Sequence, residues 1–354
     1  MSSLLFFDPT CQKPYDTRTL ADKATGGTEA SVTRVADALG AFVMQHNRGE
    51  AWGRYLPPQR LPGIERVVLN RDSRALSRVR ELFPQARVYL WVHDQLNPGS
   101  KRGRRLASTA ALLREMAVTV VCVSDAQRRG VEATLARIGV SNEVRALTIY
   151  NPVADDLQPD GSAVDAGRLV FFSSPNKGLN FALDAFAAVR RALPSVRLLV
   201  ANPGYKSDRI ARLPGVELLG ALPQARVHAV VRGALCTFFP NFLIPETFGL
   251  VFAESHALGT PVLTVDCGAA LEVLNDREEV LPMRGAYRVY ERALGGLSPG
   301  WRRGPARLAA AAGLFDEFVE RIRAWHAGAR PRVGPDPRFH LSTVAAHWRA
   351  LLTG

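Results

Sequence analysis

The stretch PETFGLVFAESHALGTPVLTV, residues 245–265, leaves this chain little structural freedom. A Pro-Glu loop turns at Gly249, an apolar segment runs to Leu258, Gly259 stops it, and a β-branched run follows from Pro261 to Val265. That order reads as loop, short helix, glycine cap and buried strand. Glu254 is the odd member. Its helical neighbours three and four positions away are Leu250, Val251, Ala257 and Leu258, so its carboxylate lies on the face the helix should bury. A buried carboxylate needs a partner. The field of the helix N-terminus suits Glu246, just before the first turn, and fades before it reaches Glu254.

Around this stretch, short apolar runs alternate with helical patterns, which makes the chain an α/β protein of parallel sheets covered by helices. In the first half the expected strands are 4–7, 41–43, 67–69, 88–92, 118–123 and 147–150. Ligands of such sheets bind beyond the carboxyl ends of the strands, so the loops that follow them are where site residues are sought. A length of 354 residues suits two domains, each able to bury its own core, and 47% hydrophobic with 22% charged residues argues against global disorder. No apolar run approaches the roughly 18 residues that span a bilayer. The first residues, MSSLLFFDPT, lack a basic leader and read as a first strand rather than a signal peptide. Cys11, Cys122, Cys236 and Cys267 show no paired spacing and read as reduced core thiols of a cytoplasmic protein, with no metal site suggested.

The formal charge of +12 is uneven: residues 1–150 hold 22 Lys and Arg against 14 Asp and Glu. Two readings follow. One is an arginine-rich composition with solvated faces. The other is contact with an acidic phospholipid surface or an anionic acceptor, with KRGRR at 101–105 as the densest cluster. No aromatic-basic interleaving points to nucleic acid.

Glu246 and Glu254, with Phe248-Gly249 between them and Gly259-Thr260-Pro261-Val262 after, closely resemble the signature of the family 4 glycosyltransferases. These are retaining enzymes of GT-B architecture. The resemblance implies two Rossmann-like domains facing each other across a cleft: an acceptor-side domain over 1–150, a linker at 151–167, a nucleotide-sugar-binding domain over 168–335, and a final helix within 336–354 that crosses back to the first domain. It implies that Glu254 binds the ribose hydroxyls of a nucleotide sugar. Glu246 and the backbone of Thr247, Phe248, Gly249 and Leu250 then contact the donor sugar and phosphates.

Three further places fit the same resemblance. Gly26-Gly27 precede a helix carrying Val32, Val35, Ala36 and Leu39 at helical spacing, and a glycine pair there lets backbone amides approach an anion. In the family such a loop lies beside the donor phosphate and the acceptor. His93, with Asp94, ends the strand 88–92; the resemblance sets His93 beside the donor sugar, while Asp94 reads as a loop cap. Lys177 is expected in the first turn of a helix after the strand 169–172, where a cation opposes the dipole unless an anion compensates. It resembles the family's donor-phosphate lysine. The arginine that many members carry about a turn earlier is absent, those positions being Phe172 and Ser173.

Elsewhere, Ser124-Asp125 reads as the N-cap of an amphipathic structural helix, and strand-loop units are expected at 196–205 and 216–223. A helix at 224–233 and a strand at 234–239 lead into the signature. A helix from about 305 to 326 and a short final helix with Val344, Trp348 and Leu351 on one face complete the chain.

The implied reaction moves a hexose from a UDP- or GDP-sugar to a hydroxyl of a saccharide or lipid-linked acceptor, in surface polysaccharide or glycoconjugate synthesis, with retention. Lys177 and the amides of 247–250 would stabilise the leaving diphosphate in place of a metal ion, no cofactor being needed. In the front-face route the leaving phosphate takes the acceptor's proton, so neither glutamate is a general base. The rivals are a nucleotide-sugar epimerase or phosphorylase on the same fold, and a non-catalytic nucleotide-sugar-binding protein. A dehydrogenase is disfavoured because no G-x-G-x-x-G follows a strand, and an ATPase because no phosphate-loop motif is present. The expected location is the cytoplasm, with peripheral contact to the inner membrane face as the reading tied to the basic first domain.

Overall fold

The computed structural model describes residues 3–23, 25–201, 213–288 and 313–354. In chain order its strands are β1 (Leu4–Asp8), β2 (Phe42–Gln45), β3 (Tyr55–Leu56), β4 (Arg66–Asn70), β5 (Arg87–Val92), β6 (Thr119–Cys122), β7 (Ala146–Thr148), β8 (Asp165–Phe172), β9 (Arg197–Ala201), β10 (Val216–Gly220), β11 (Ala234–Phe238), β12 (Val262–Val265) and β13 (Val280–Leu281). The helices are α1 (Thr17–Asp22), α2 (Gly27–Ala38), α3 (Leu76–Leu82), α4 (Lys101–Ala107), α5 (Ala110–Glu115), α6 (Asp125–Arg137), α7 (Leu179–Ala192), α8 (Gln224–Arg232), α9 (Leu250–Ala257), α10 (Ala270–Leu274), α11 (Asp316–Ala324) and α12 (Leu341–Thr353).

Contacts divide the chain into two units: residues 1–20, 26–155 and 337–354 form the first, residues 21–25 and 156–336 the second. The first unit is built on a seven-stranded sheet in the order β3-β2-β1-β4-β5-β6-β7, the second on a six-stranded sheet in the order β10-β9-β8-β11-β12-β13. Every pairing within them is parallel. Counted from its first strand, each sheet has the order 3-2-1-4-5-6, with a seventh strand added beyond the sixth in the first unit, the doubly wound order whose direction reverses beside the first strand. Strands buried on both faces read as unbroken apolar runs, which is why LLFF and LVFF announce β1 and β8.

In the first unit one sheet face packs Leu5, Phe7, Val67, Leu69, Leu90 and Val120 against α3 to α6. On the other face Phe6, Trp91 and Trp348 meet edge to face, with Phe6 5.9 Å from Trp348 and Trp91 5.1 Å from it, so α12 belongs to this core. Val344, Trp348 and Leu352 form its buried stripe, and Leu351 is only half-buried. All four cysteines are free and buried.

Several boundaries differ from the sequence reading. β8 begins at Asp165, inside the expected linker, because Asp165 donates its amide to Gly233 and its carboxylate pairs with Arg168 and Arg197. The two-residue edge strands β3 and β13 are too short for any periodicity to mark them. The helix expected at 305–326 is described only from residue 313, where α11 ends in a wide turn at Trp325–Ala329 with Gly328 at φ +112°. The last residues of the strand expected at 196–205 also lie outside the described residues. No helix among the described residues is long and apolar enough to cross a membrane.

Candidate active site

In the second unit three loops that leave carboxyl strand ends converge on Glu246. After β8, Gly178 takes φ +89° with Asn241 packed against the face where a Cβ would project, so the loop of Lys177 lies directly on the loop after β11. Asn241 shapes that second loop: its side-chain oxygen accepts the amides of Leu243 and Ile244, and its Nδ2 donates to the Ile244 carbonyl. After β12, Gly268 at φ +72° bridges Glu246, whose carbonyl accepts the Ala269 amide at 3.0 Å. A Cβ at Gly268 would collide with the Glu246 backbone.

Glu246 is thereby held with 6% of its surface exposed. Its Oε2 accepts from Lys177 Nζ at 2.9 Å, and its Oε1 is buried without a hydrogen-bond partner among the described residues. The expected setting of Lys177 needs correcting. It precedes the N-cap Gly178 rather than occupying the first turn of α7, and the anion that compensates it is Glu246.

Gly249, at φ +86° and ψ +69°, is the N-cap of α9, and the Phe252 ring fills the space a Cβ would need. No side chain caps this helix; Phe252 turns its amide back to the Gly249 carbonyl at 2.8 Å, and the Leu250 and Val251 amides precede the intrahelical ladder. Glu254 is buried, as its place on the inner face requires, and its Oε1 accepts from Gln224 Nε2 at 2.8 Å at the start of α8. The helix is pinned by Ser255, whose hydroxyl lies 2.7 Å from Thr237 and 2.7 Å from the Val251 carbonyl. At its far end His256 meets the fully buried Glu279, which also accepts the Val262 amide. Asn241, Gly268 and Gln224 were not singled out by sequence reasoning; Gly268 in the Asp-Cys-Gly turn was the one legible signal among them.

The remaining expected residues lie in the first unit. Gly26 is the extended N-cap of α2 and Gly27 its first residue. Glu29 in that first turn lies against its own backbone amide, so this helix end already holds an acid, whose carboxyl burial raises above the usual range. His93 is buried 4.5 Å from the Trp91 ring, and burial beside the Arg71 guanidinium lowers its pKa to about 3, leaving a neutral imidazole. Asp94 does more than cap a loop: it forms a fork with Arg71 at 3.1 and 3.2 Å and also pairs with Arg102. Among the described residues no His, Cys, Asp and Glu cluster could hold a metal ion.

Residues 166–287 match the family model described as glycosyl transferases group 1. The chain carries a group 1 glycosyltransferase domain. That domain takes in Lys177, Gln224, Glu246 and Glu254 and leaves out Gly26, Gly27 and His93. The phosphatidyl-myo-inositol mannosyltransferase of Mycobacterium leprae is 30% identical over 42% of this chain and 45% of its own length. The D-inositol 3-phosphate glycosyltransferase of Segniliparus rotundus is 31% identical over 51% of this chain and 38% of its own length. The similarity thus spans less than half of either relative. Among solved structures, HepE of Anabaena in complex with UDP and glucose has a TM-score of 0.61 at 15% identity, covering 99% of both chains. Sucrose-phosphate synthase from Thermosynechococcus elongatus has a TM-score of 0.59 at 17% identity, covering 99% of this chain and 98% of its own. These likenesses establish the fold, which is that of the GT-B glycosyltransferases. Within the glycosyltransferase domain, a cation, a buried carboxylate with one open oxygen and an uncapped helix end lie at the carboxyl edge of one sheet.

Proposed function

We propose that this protein is a retaining hexosyltransferase that uses a nucleotide-diphosphate sugar, UDP- or GDP-linked, and a hydroxyl acceptor on a saccharide or lipid-linked glycan. The observation that carries the reading is Glu246: a buried carboxylate that spends one oxygen on Lys177 and keeps the other open. An open buried acceptor suits a sugar hydroxyl, and the paired ammonium suits the adjoining phosphate. The amides at Gly249 and Leu250, which no side chain caps, suit the charge that grows on the leaving diphosphate. Glu254, held by Gln224, is assigned to the ribose hydroxyls. Gly26, Gly27 and His93 enter the proposal on the family resemblance alone.

The proposed chemistry needs no side-chain base. As the glycosidic bond to the diphosphate breaks, the phosphate oxygen accepts the proton of the acceptor hydroxyl, whose oxygen bonds to the anomeric carbon on the same face. Lys177 and the helix amides act on the leaving group, with no metal assigned to the step. The neutral state of His93 suits hydrogen bonding to a sugar hydroxyl rather than charge stabilisation.

Thermal unfolding with a panel of UDP, GDP, ADP and their sugars tests the reading. A true donor at a hundredfold excess over its dissociation constant stabilises the native state by about 2.7 kcal/mol. One nucleotide should stand out, and its sugar should be transferred or slowly hydrolysed. Stabilisation by none of them refutes the proposal, and tight binding without turnover reduces the protein to a donor-binding one.

A further inference from the structure

The first unit holds a cavity of about 220 Å³ beyond the carboxyl ends of β1, β4 and β5, lined by Thr10, Arg71, Asp72, Ser73, Arg102 and Arg105 among others. Its position beside the first strand of a doubly wound sheet is where such folds bind ligands. Three guanidinium groups reach it from two elements. Arg71 follows β4 directly, and α4 supplies Arg102 and Arg105 one turn apart on the same face.

Two features separate this pocket from a merely solvated basic face. Arg71 adopts φ +67°, a left-handed conformation that an L residue with a long side chain takes only when its surroundings impose it. The conformation keeps the Arg71 amide on the Trp91 carbonyl at 2.8 Å and lets the guanidinium meet Asp94 as a fork. The charges also do not cancel within the lining. Asp94 holds Arg71 and Arg102 together, with Asp8 and Glu29 acting on Arg71 from the side of β1. Asp72 is taken by Arg74, which is exposed. Arg105 acts on Asp72 through space and makes no ion pair of its own among the described residues. An anion that enters finds Arg105, the outer edge of Arg102 and the Ser73 hydroxyl, the Thr10 hydroxyl being spent on Asp8 at 3.0 Å.

We infer that this pocket binds a phosphate group carried by the acceptor, so that the acceptor is a phosphomonoester or phosphodiester rather than a neutral saccharide. The guanidinium of Arg105, not committed to Asp94 as those of Arg71 and Arg102 are, can meet the planar pair of oxygens that such a group presents. The same chemistry occurs in free sugar or polyol phosphates and in phospholipid headgroups. The inference rests on the transferase reading for the word acceptor, and on the pocket alone for the phosphate.

The test uses the whole chain and three single variants: Arg102→Gln, Arg105→Gln and, as a control of equal charge change, Arg104→Gln, which lies on the same helix outside the pocket. Glycerol 1-phosphate and inorganic phosphate are titrated by calorimetry. Sedimentation with phosphatidylcholine vesicles, with and without an equal part of phosphatidylglycerol, supplies the lipid arm. Binding in one arm, weakened about tenfold by Arg102→Gln or Arg105→Gln and less than about twofold by Arg104→Gln, supports the pocket and names its source. Equal losses in all three variants, or no binding of either probe to the unaltered chain, overturn the inference. UDP and GDP stabilisation is recorded on the same samples. Nucleotide binding that survives while phosphate binding is absent defeats the pocket alone, whereas loss of all nucleotide response defeats the transferase reading.

Discussion

The pair of Lys177 and Glu246 makes a prediction with a built-in asymmetry. The two partners differ in burial: 34% of the lysine side chain is exposed and 7% of the glutamate's. At a separation of 2.9 Å the gross attraction is about 6 kcal/mol for an effective dielectric of roughly 20. Desolvation of the glutamate takes back most of it, and a net value of about 1.5–3 kcal/mol is typical for a hydrogen bond to a charged group. Lys177→Met leaves a buried carboxylate with neither oxygen bonded by a side chain, and should cost about 2–3 kcal/mol. Glu246→Gln leaves an ammonium that can turn to water, and should cost about 1 kcal/mol. The double variant should resemble Glu246→Gln, giving a coupling of about 2–3 kcal/mol in a double-mutant cycle from urea unfolding. A coupling within roughly 0.5 kcal/mol of zero, or a costlier Glu246→Gln, would refute the arrangement of one buried and one half-exposed charge.

Three other outcomes are expected. Glu254→Gln should lower affinity for the cognate nucleotide roughly tenfold to a hundredfold by calorimetry while leaving the unfolding midpoint nearly unchanged, since an amide can still meet Gln224. Gly249→Ala forces a φ of +86° on an L residue and drives a methyl into Phe252, so thermal unfolding should show a loss of roughly 1–3 kcal/mol. His93 binds its proton only near pH 3 in the folded state and near its ordinary 6.5 when unfolded, so its contribution is complete above 6.5 and lost as pH falls toward 3. Between those limits it should add a slope of up to about 1.4 kcal/mol per pH unit, and His93→Gln should remove that slope from urea unfolding curves taken along the same pH series.

The sequence revealed most where a structural cause is local. Buried parallel strands are apolar throughout, so β1, β4, β5, β6, β8 and β11 could be placed to within a few residues. Glu254 was legible for a similar reason: the helical period alone sets it among Leu250, Val251, Ala257 and Leu258. Its partner was not, because Gln224 is thirty residues away and opens a different helix. Lys177 shows the limit most clearly. A one-dimensional reading weighed it against the dipole of its own helix, whereas the fold sets it against Glu246, 69 residues on. Asp94 read as a cap because its arginines lie on two other segments. Gly268 is legible as a turn residue in Asp-Cys-Gly, but its need for an absent Cβ appears only when the β12 loop meets the Glu246 backbone.

The pairing of Lys177 with Glu246 bears on how the proposed diphosphate would be held. An isolated lysine at this loop would offer a full positive charge to the leaving group. Bound to a buried carboxylate, it offers much less, and no arginine stands at Phe172 or Ser173 to make up the difference. The first amides of α9, which no side chain caps, are then left to meet the added charge, in contrast to the start of α2, where Glu29 lies against its own amide. A donor that gains charge on its phosphate as the bond breaks would draw Lys177 away from Glu246, so the ammonium would strengthen its contact late in the reaction. Stabilisation that grows with the developing charge is what lowers a barrier, whereas a lysine fully committed to the bound donor would tighten binding alone. On this reading Glu246 serves the reaction twice, by offering Oε1 to the sugar and by restraining Lys177 until the leaving group calls for it.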